Sequence, residues 1–334
     1  MTSASSHSRV ASLKDCAVQI VLVLGFYYVT YYAPSSSSPS QLSGSDSNDP
    51  LQRTRTVASL GLVAAIVVVR LFDECRPVTM TVMERKWHAI AWAGNSVFFT
   101  SQSLYLSTVY FGFSAWAEAF GGSDRRAACY AWALFAGTLG SAMTLLFLLL
   151  NWCDRAFHRE LEDSSAARAG QPVKAILLAV HLPSVWIHVI DLTMVKDRAL
   201  LVASAPPAAS VLAAIAIYVL SYTAWIMLNH KMNGGYWPYP FVTSVLEAPQ
   251  PAAAVTSVAL TLGLDTGVPQ PETCCTRPAR WLGFLAAMAV AFSVIFAALA
   301  AAVRFGSQSV AMNALILVAV APLLAAAMQR VRYG

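Results

Sequence analysis

Charged residues are scarce in this chain. Asp, Glu, Lys and Arg make up only 12% of its 334 residues, whereas 57% are hydrophobic. This balance excludes an ordinary soluble domain and indicates a polytopic helical membrane protein. The net charge of +5 is small and spread over the connections, with no basic run, so no nucleic-acid partner is expected.

Cysteines at the spacings typical of zinc sites or disulfide frameworks are also missing. The six cysteines include no Cys-x-x-Cys spacing, so neither a zinc site nor a disulfide framework is predicted. We expect no metal and no cofactor. The first apolar run, residues 17–33, lacks an Ala-x-Ala cleavage site and is followed directly by Pro34. It is therefore interpreted as a retained signal anchor and not as a cleaved signal peptide.

The apolar segments predict an all-α transmembrane bundle of about eight spans. Residues 1–16 are predicted to form a cytoplasmic tail and 17–334 a single transmembrane domain. The Ser/Asp-rich stretch 34–56 is predicted to be a flexible loop, and the apolar piece 252–264 is too short to count as a span. The expected spans are 17–33, 57–72, 88–112, 128–152, 174–195, a helix that follows Pro206 and Pro207 and ends at Leu228, 281–303, and 309–328.

The distribution of Lys and Arg predicts the orientation. Connections on the N-terminal side of this arrangement carry twice as many basic residues as those on the opposite side. Because basic residues concentrate in cytoplasmic connections, both termini are expected to be cytoplasmic. The membrane is either an endomembrane or the plasma membrane.

A polar stripe marks the segment 174–195. Its ionisable residues His181, His188 and Asp191 recur with Ser184 at helical steps of three and four, so the four share one face. Ionisable groups inside a membrane normally face a bundle interior or a wet cavity. The stripe therefore favours a functional cavity over isolated buried histidines.

Three further segments carry a resemblance. The first is FFTSQSLYLSTVYFG (98–112), which includes Thr100, and the second is the segment with His181. The third has the pattern Y-x-x-W, a His five residues later, and G-x-W-x-Y-P-F. Its residues are Tyr222, Trp225, His230, Gly235, Trp237, Tyr239, Pro240 and Phe241. In this order the segments resemble the androgen-induced and androgen-dependent (FAR-17a-type) membrane proteins, with their rolling stone-like and plant relatives, over residues 57–303.

The resemblance implies a six-helix core, with one added helix at each end, and a hydrolase of lipid esters such as fatty acid esters of hydroxy fatty acids. Matched by residue, it implies Thr100 as nucleophile and His181 as base. A neutral His close to a Thr hydroxyl is chemically suited to activate it. Helices three and five run parallel in this topology, so the two residues share a cavity if helix three starts nearer Ala91 than His88.

One position departs from the family pattern. Ser184 stands where relatives commonly have Asn or a second His, whereas Asp191 matches their acidic residue. The leading hypothesis is thus a lipid-ester hydrolase that acts on membrane lipid. Two alternatives stay open: a proton-coupled carrier that uses His181, His188 and Asp191 as a relay, and a catalytically silent member that binds lipid or a partner. The aromatic turn 237–241 is interpreted as an interfacial anchor and rigid turn.

Overall fold

The computed structural model describes residues 50–75, 97–153, 162, 170, 172–235, 237–238 and 278–305. All regular structure in these ranges is helical, as predicted. The seven α-helices are α1 (Pro50–Cys75), α2 (Phe99–Phe120), α3 (Ser123–Cys153), α4 (Val173–Ile190), α5 (Arg198–Ser204), α6 (Ala208–Met232) and α7 (Pro278–Phe305). A five-residue π-helical segment, Asp191–Val195, continues α4.

Four helices are long and apolar enough to cross a bilayer: Leu51–Phe72, Ser123–Leu148, Ala175–Val195 and Ala208–Met232. A shorter apolar helix covers Met288–Arg304. The chain is therefore a multi-pass membrane protein, while the predicted count of eight spans stays a prediction. Helix α2, with 22 residues, is not among these four, and its buried face carries Ser, Gln and Glu side chains.

The predicted boundaries in the first half need two corrections. Helix α1 begins at Pro50, inside the stretch predicted to be a loop, because proline suits the first position of a helix. The helix that carries Thr100 begins at Phe99, not near His88 or Ala91, since the backbone of Phe98 is extended. It also continues past the predicted end at Gly112 to Phe120.

The second half differs in two places. A short helix, α5, occupies part of the predicted re-entry, and Asp197 caps it by accepting a hydrogen bond from the amide of Leu200 at 3.0 Å. Helix α6 runs four residues beyond Leu228, so 229–232 are helical and do not belong to the turn. Glycines at 234 and 235 then adopt positive φ angles of 67° and 91°, which end the helix.

Several predictions lie outside the described residues. They concern the tail 1–16, the retained anchor 17–33, residues 34–49 of the loop, the apolar piece 252–264 and the last span 309–328.

Helix α3 is the most buried of the four candidate spans and packs against α2, α4, α5 and α7. Paired contacts give the helix directions. Helix α1 is antiparallel to α2, because Gln52 bonds Glu118 near the end of α2, whereas Arg70 bonds Ser101 near its start. Large apolar side chains are exposed on the outer faces of these helices, where lipid would cover them. They include Val57, Leu60, Val68, Trp116, Ile217 and Leu220.

Candidate functional site

Helices α2 and α4 are parallel and in constant register. Three side-chain contacts join them, and in each the two residues are 81 positions apart: Thr100 with His181, Ser107 with His188, and Tyr110 with Asp191. The partners advance together along both helices, which confirms that these helices run in the same direction. Their spacing of seven and three residues keeps one face of each helix against the other.

We call this contact the polar seam. It consists of Thr100, Ser103, Ser107, Tyr110 and Ser114 on α2, and of His181, Ser184, His188, Asp191 and Lys196 on and after α4. At its end Lys196 donates to Ser114, a separation of 82. The shift by one residue follows from the π-helical segment, because a wider helical turn accommodates one extra residue.

Thr100 and His181 form the first pair of the polar seam. The Thr100 Oγ1 lies 2.9 Å from His181 Nε2. The other ring nitrogen, Nδ1, lies 2.7 Å from the carbonyl oxygen of Leu177. A carbonyl can only accept, so Nδ1 carries the ring proton and Nε2 of the neutral imidazole accepts from the Thr100 hydroxyl. This tautomer is the one that a general base requires.

Helix α3 fixes the ring of His181. The ring of Phe147 stacks on it with centroids 3.6 Å apart and planes at 11°. One turn earlier on α3, the Thr144 hydroxyl donates to the His181 carbonyl oxygen. The imidazole is therefore held by its backbone, its face and both ring nitrogens, and its orientation toward Thr100 is fixed before any substrate binds.

The second histidine of the stripe is fully buried. His188 Nε2 lies 2.9 Å from the Ser107 hydroxyl, and the rings of Tyr110 and Phe111 pack against the imidazole at 6.0 and 4.8 Å. Gly140 of α3 is directly beside it: a Cβ there would lie 2.2 Å from His188 Cδ2. His188 is thus tightly enclosed, and its pair with Ser107 is the next contact of the polar seam after the Thr100–His181 pair.

Asp191 joins a charged group at the Phe120 end of the polar seam. It accepts from Tyr110 at 2.5 Å and lies 3.4 Å from Lys196 Nζ. Glu118 lies 3.8 Å from the same ammonium and accepts from Tyr130 at 2.6 Å. Asp191 is therefore paired with Tyr110 on the facing helix and with Lys196 beyond the end of its own helix.

Lys196 remains a cation in this position. Burial acts to lower its pKa, but the neighbouring carboxylates, Asp191 foremost, outweigh burial, so the pKa lies above its ordinary value. The group is thus a buried, hydrogen-bonded arrangement of charges, which is the form that tolerates exclusion from water.

The third motif contacts the first at the start of α2. The Tyr222 hydroxyl donates to the carbonyl of Val97 at 2.9 Å, three residues before Thr100. Phe99, which precedes Thr100, packs its ring against Tyr222 and Phe292 at 5.8 and 5.9 Å. Tyr222 therefore holds the segment from which the helix of Thr100 begins.

The other motif residues close the end of α6. Trp225 is half-buried on that helix. The rings of His230 and Trp237 stack at 3.9 Å, and the amide of Gly235 donates to the His230 carbonyl at 2.9 Å. Trp237 is buried, and its role as an interfacial anchor stays a prediction. Three motif residues lie outside the described part of the chain: Tyr239, Pro240 and Phe241.

Sequence reasoning missed half of the polar seam. It identified the residues on α4, but not Ser107, Tyr110 and Ser114 opposite them, nor Lys196 and Glu118. The signal was present, because the polar residues of α2 recur at steps of three and four from Thr100 to Ser114. Within the described ranges, no cluster of three or more His, Cys, Asp or Glu residues could hold a metal ion.

These features define a class: a multi-pass helical membrane protein with a Thr–His pair enclosed between two parallel helices. The family model of FAR-17a/AIG1-like proteins matches residues 60–262, more than half of the chain. The chain therefore belongs to the FAR-17a/AIG1-like family, as the three motif segments predicted. No curated protein and no solved structure matches it significantly.

Proposed function

We propose that the protein is an intramembrane hydrolase of lipid esters, with Thr100 as nucleophile and His181 as general base. One observation carries this proposal: the Thr100 hydroxyl donates to His181 Nε2 at 2.9 Å while Nδ1 is held by a backbone carbonyl. Nucleophile, base and a group that orients the base are the three parts of an activated hydroxyl. Here the orienting group is the Leu177 carbonyl in place of a carboxylate.

The reaction follows from this arrangement. His181 Nε2 removes the Thr100 proton as Oγ1 attacks the ester carbonyl carbon, and a tetrahedral intermediate forms. The ester C–O bond then breaks, and the leaving alcohol takes the proton from His181. The acyl group is left on Thr100, and water releases it as a carboxylic acid in a second step. His181 acts as base and then as acid in both steps.

Two neighbouring features suit this chemistry. Thr100 lies in the first turn of α2, where the amides of Thr100 and Ser101 precede the first helical hydrogen bond, made by Gln102 to Phe98 at 3.2 Å. Such amides can stabilise the negative oxygen of the intermediate. The Arg70 guanidinium donates to the Ser101 carbonyl at 3.3 Å. A lipid ester with a free carboxylate, as in esters of hydroxy fatty acids, would find a positive charge beside this turn.

A second candidate, a proton-coupled carrier, is favoured by the length of the polar seam. Its groups extend from His181 past His188 and Asp191 to the charge of Lys196. The Thr100 hydroxyl separates the two functions, because a hydrolase requires it whereas a relay does not. A catalytically silent lipid- or partner-binding member would need neither Thr100 nor His181.

The deciding experiment combines mutation with covalent labelling in purified protein. We expect Thr100→Ala and His181→Ala each to abolish lipid-ester hydrolysis and labelling by a lipid-like acylating probe, with the label of the wild type mapped to Thr100. His188→Ala should leave a measurable rate. Thr108→Ala is a matched control on the same helix, because the Thr108 hydroxyl only bonds the Leu104 carbonyl of its own helix, at 2.8 Å.

The opposite result is equally clear. If Thr100→Ala turns over substrate like the wild type while remaining folded, Thr100 is not the nucleophile, and the carrier becomes the better explanation. Loss of activity in Thr108→Ala to the same extent would show that the assay measures folding and not chemistry.

For orientation, we infer cytoplasmic termini in an endomembrane or the plasma membrane. Contacts join residues at three connections of the less basic side, which is expected to be non-cytoplasmic. Arg55 pairs with Asp197 at 2.9 Å, and Arg198 donates to the Arg304 carbonyl at 2.8 Å. Their common location at one end of the bundle supports placing these connections on one side of the membrane.

A further inference from the structure

The middle of the polar seam holds three buried polar atoms that no other described group satisfies. They are Ser103 Oγ, Ser184 Oγ and His188 Nδ1. All three residues have an exposed fraction of 0%. The second ring nitrogen of His188 is occupied by Ser107. The proposed hydrolase mechanism uses none of the three atoms.

The helix register places these atoms together. Thr100 faces His181 and Ser107 faces His188, each 81 positions apart, so Ser103 and Ser184, also 81 apart, face each other between those pairs. They are one helical turn from the Thr100–His181 pair. The two hydroxyls nevertheless do not bond each other. The register therefore places the orphaned atoms on neighbouring turns of the polar seam, beside the proposed nucleophile and base.

Buried polar atoms almost always have a hydrogen-bond partner, because leaving one without a partner is costly. Lipid cannot supply one, and the nearby Ser141 hydroxyl of α3 is itself buried without a partner. A water molecule can, since it offers two donors and two acceptors and typically makes about three bonds in a buried site. It satisfies His188 Nδ1 in either tautomer, as acceptor or as donor.

The polar seam continues from this group to the Phe120 end of the bundle. Beyond His188 follow Tyr110 and Asp191, and then Lys196, which binds Ser114 and lies 3.8 Å from Glu118. These hydroxyls and charges form polar surface along the helix contact, in contrast to the apolar outer faces. Polar side chains thus line the helix contact at each turn between the Phe120 end and Ser103.

We propose that Ser103, Ser184 and His188 hold bound water that hydrolyses the acylated Thr100. The inference rests on the proposed hydrolase function, in which each turnover consumes one water inside the membrane. The water oxygen bonds to the acyl carbonyl carbon while His181 Nε2 takes one of its protons. The C–Oγ1 bond of Thr100 then breaks, Oγ1 receives that proton, and a free carboxylic acid leaves.

The test separates acylation from deacylation. A long-chain p-nitrophenyl ester releases p-nitrophenol in a burst when Thr100 is acylated, and then at a steady rate set by water attack if deacylation is slow. In the double variant Ser103→Ala/Ser184→Ala we expect an unchanged burst and a steady rate lowered about tenfold or more. Ser103→Thr, which keeps the hydroxyl, should retain more of the steady rate than Ser103→Ala.

Ser59→Ala is the matched control. Ser59 lies on α1, outside the polar seam, and its hydroxyl is equally buried and equally without a partner. We expect it to change neither phase. A double variant that keeps both the burst and the wild-type steady rate would overturn the water site and leave the hydrolase proposal intact.

A second measurement needs no variant. An experimental density map at high resolution should show an ordered water within hydrogen-bond distance of Ser103 Oγ and Ser184 Oγ. A map that shows the two hydroxyls bonded to each other, with no water between them, would refute the site. If the wild-type protein is never acylated, the hydrolase function is refuted. Ordered water in the map would still support the binding of water at Ser103 and Ser184 in that case.

Discussion

The close approach of α3 to α4 at Gly140 gives a prediction that depends on neither proposal. Replacing Gly140 by Ala places a Cβ 2.2 and 2.4 Å from two ring atoms of His188 and 2.9 Å from Ser184 Oγ. The ring cannot easily move away, because Tyr110 and Phe111 pack against it and Ser107 bonds its Nε2. The helices must therefore separate or the imidazole must leave its position.

The size of the effect follows from three contributions. Overpacking of a well-packed interior costs about 1–3 kcal/mol, and loss of the Ser107–His188 hydrogen bond costs about 1 kcal/mol more. Ala in place of Gly within a helix stabilises the folded state by about 0.5–1 kcal/mol, which offsets part of this cost. We expect Gly140→Ala to lower the free energy of unfolding by about 1–3.5 kcal/mol as the net of these terms.

Two other glycines calibrate the measurement. Gly112 on α2 has no atom near its hypothetical Cβ, so Gly112→Ala should stabilise the protein by about 0.5–1 kcal/mol. At Gly137 the nearest atom is the Cδ1 of Leu192 at 3.0 Å, a flexible tip that can move, so the effect of Gly137→Ala should lie between the other two.

Thermal unfolding in detergent, followed by tryptophan fluorescence, should rank the three variants in that order. The midpoints of Gly140→Ala and Gly112→Ala should differ by roughly 5 °C or more. Equal midpoints for these two variants would refute the close contact between α3 and α4.

Two further predictions concern other contacts of the site. Tyr222→Phe removes the bond to the Val97 carbonyl and keeps the aromatic ring, so we expect a lower kcat for a lipid ester with little change in the unfolding midpoint. Equal activity would mean that Tyr222 does not position the start of α2. Asp191→Ala leaves Lys196 and Tyr110 without their carboxylate and should lower the free energy of unfolding in detergent by about 3–5 kcal/mol. Asp191→Asn still accepts from Tyr110 and should lower it less. Equal losses of stability in the two variants would show that the charge of Asp191 makes the whole contribution.

Much of the fold could be predicted from local patterns. The segment 174–195 was predicted as a helix with one polar face, and its four polar residues are all buried. Helix ends were predicted less well: α1 starts seven residues before Val57, and α6 ends four after Leu228. Helices extend where their ends find partners, as Arg55 does with Asp197 at 2.9 Å, and such partners are distant in sequence.

The sequence by itself determined the membrane class, the family and the face of α4 that carries His181. These follow from composition, motif order and the helical period, all of which are properties of short segments. The sequence also contained the matching polar stripe on α2, but a polar stripe does not predict which other helix it packs against.

Only the tertiary structure decided how the two stripes align. The constant separation of 81 positions, which joins Thr100 to His181 and encloses Ser103 with Ser184, depends on the packing of α3 against both helices. The π-helical segment then shifts the register so that Lys196 reaches Ser114. Helical period is set within one turn of backbone, whereas register between helices is set by side chains that meet only when the bundle is assembled.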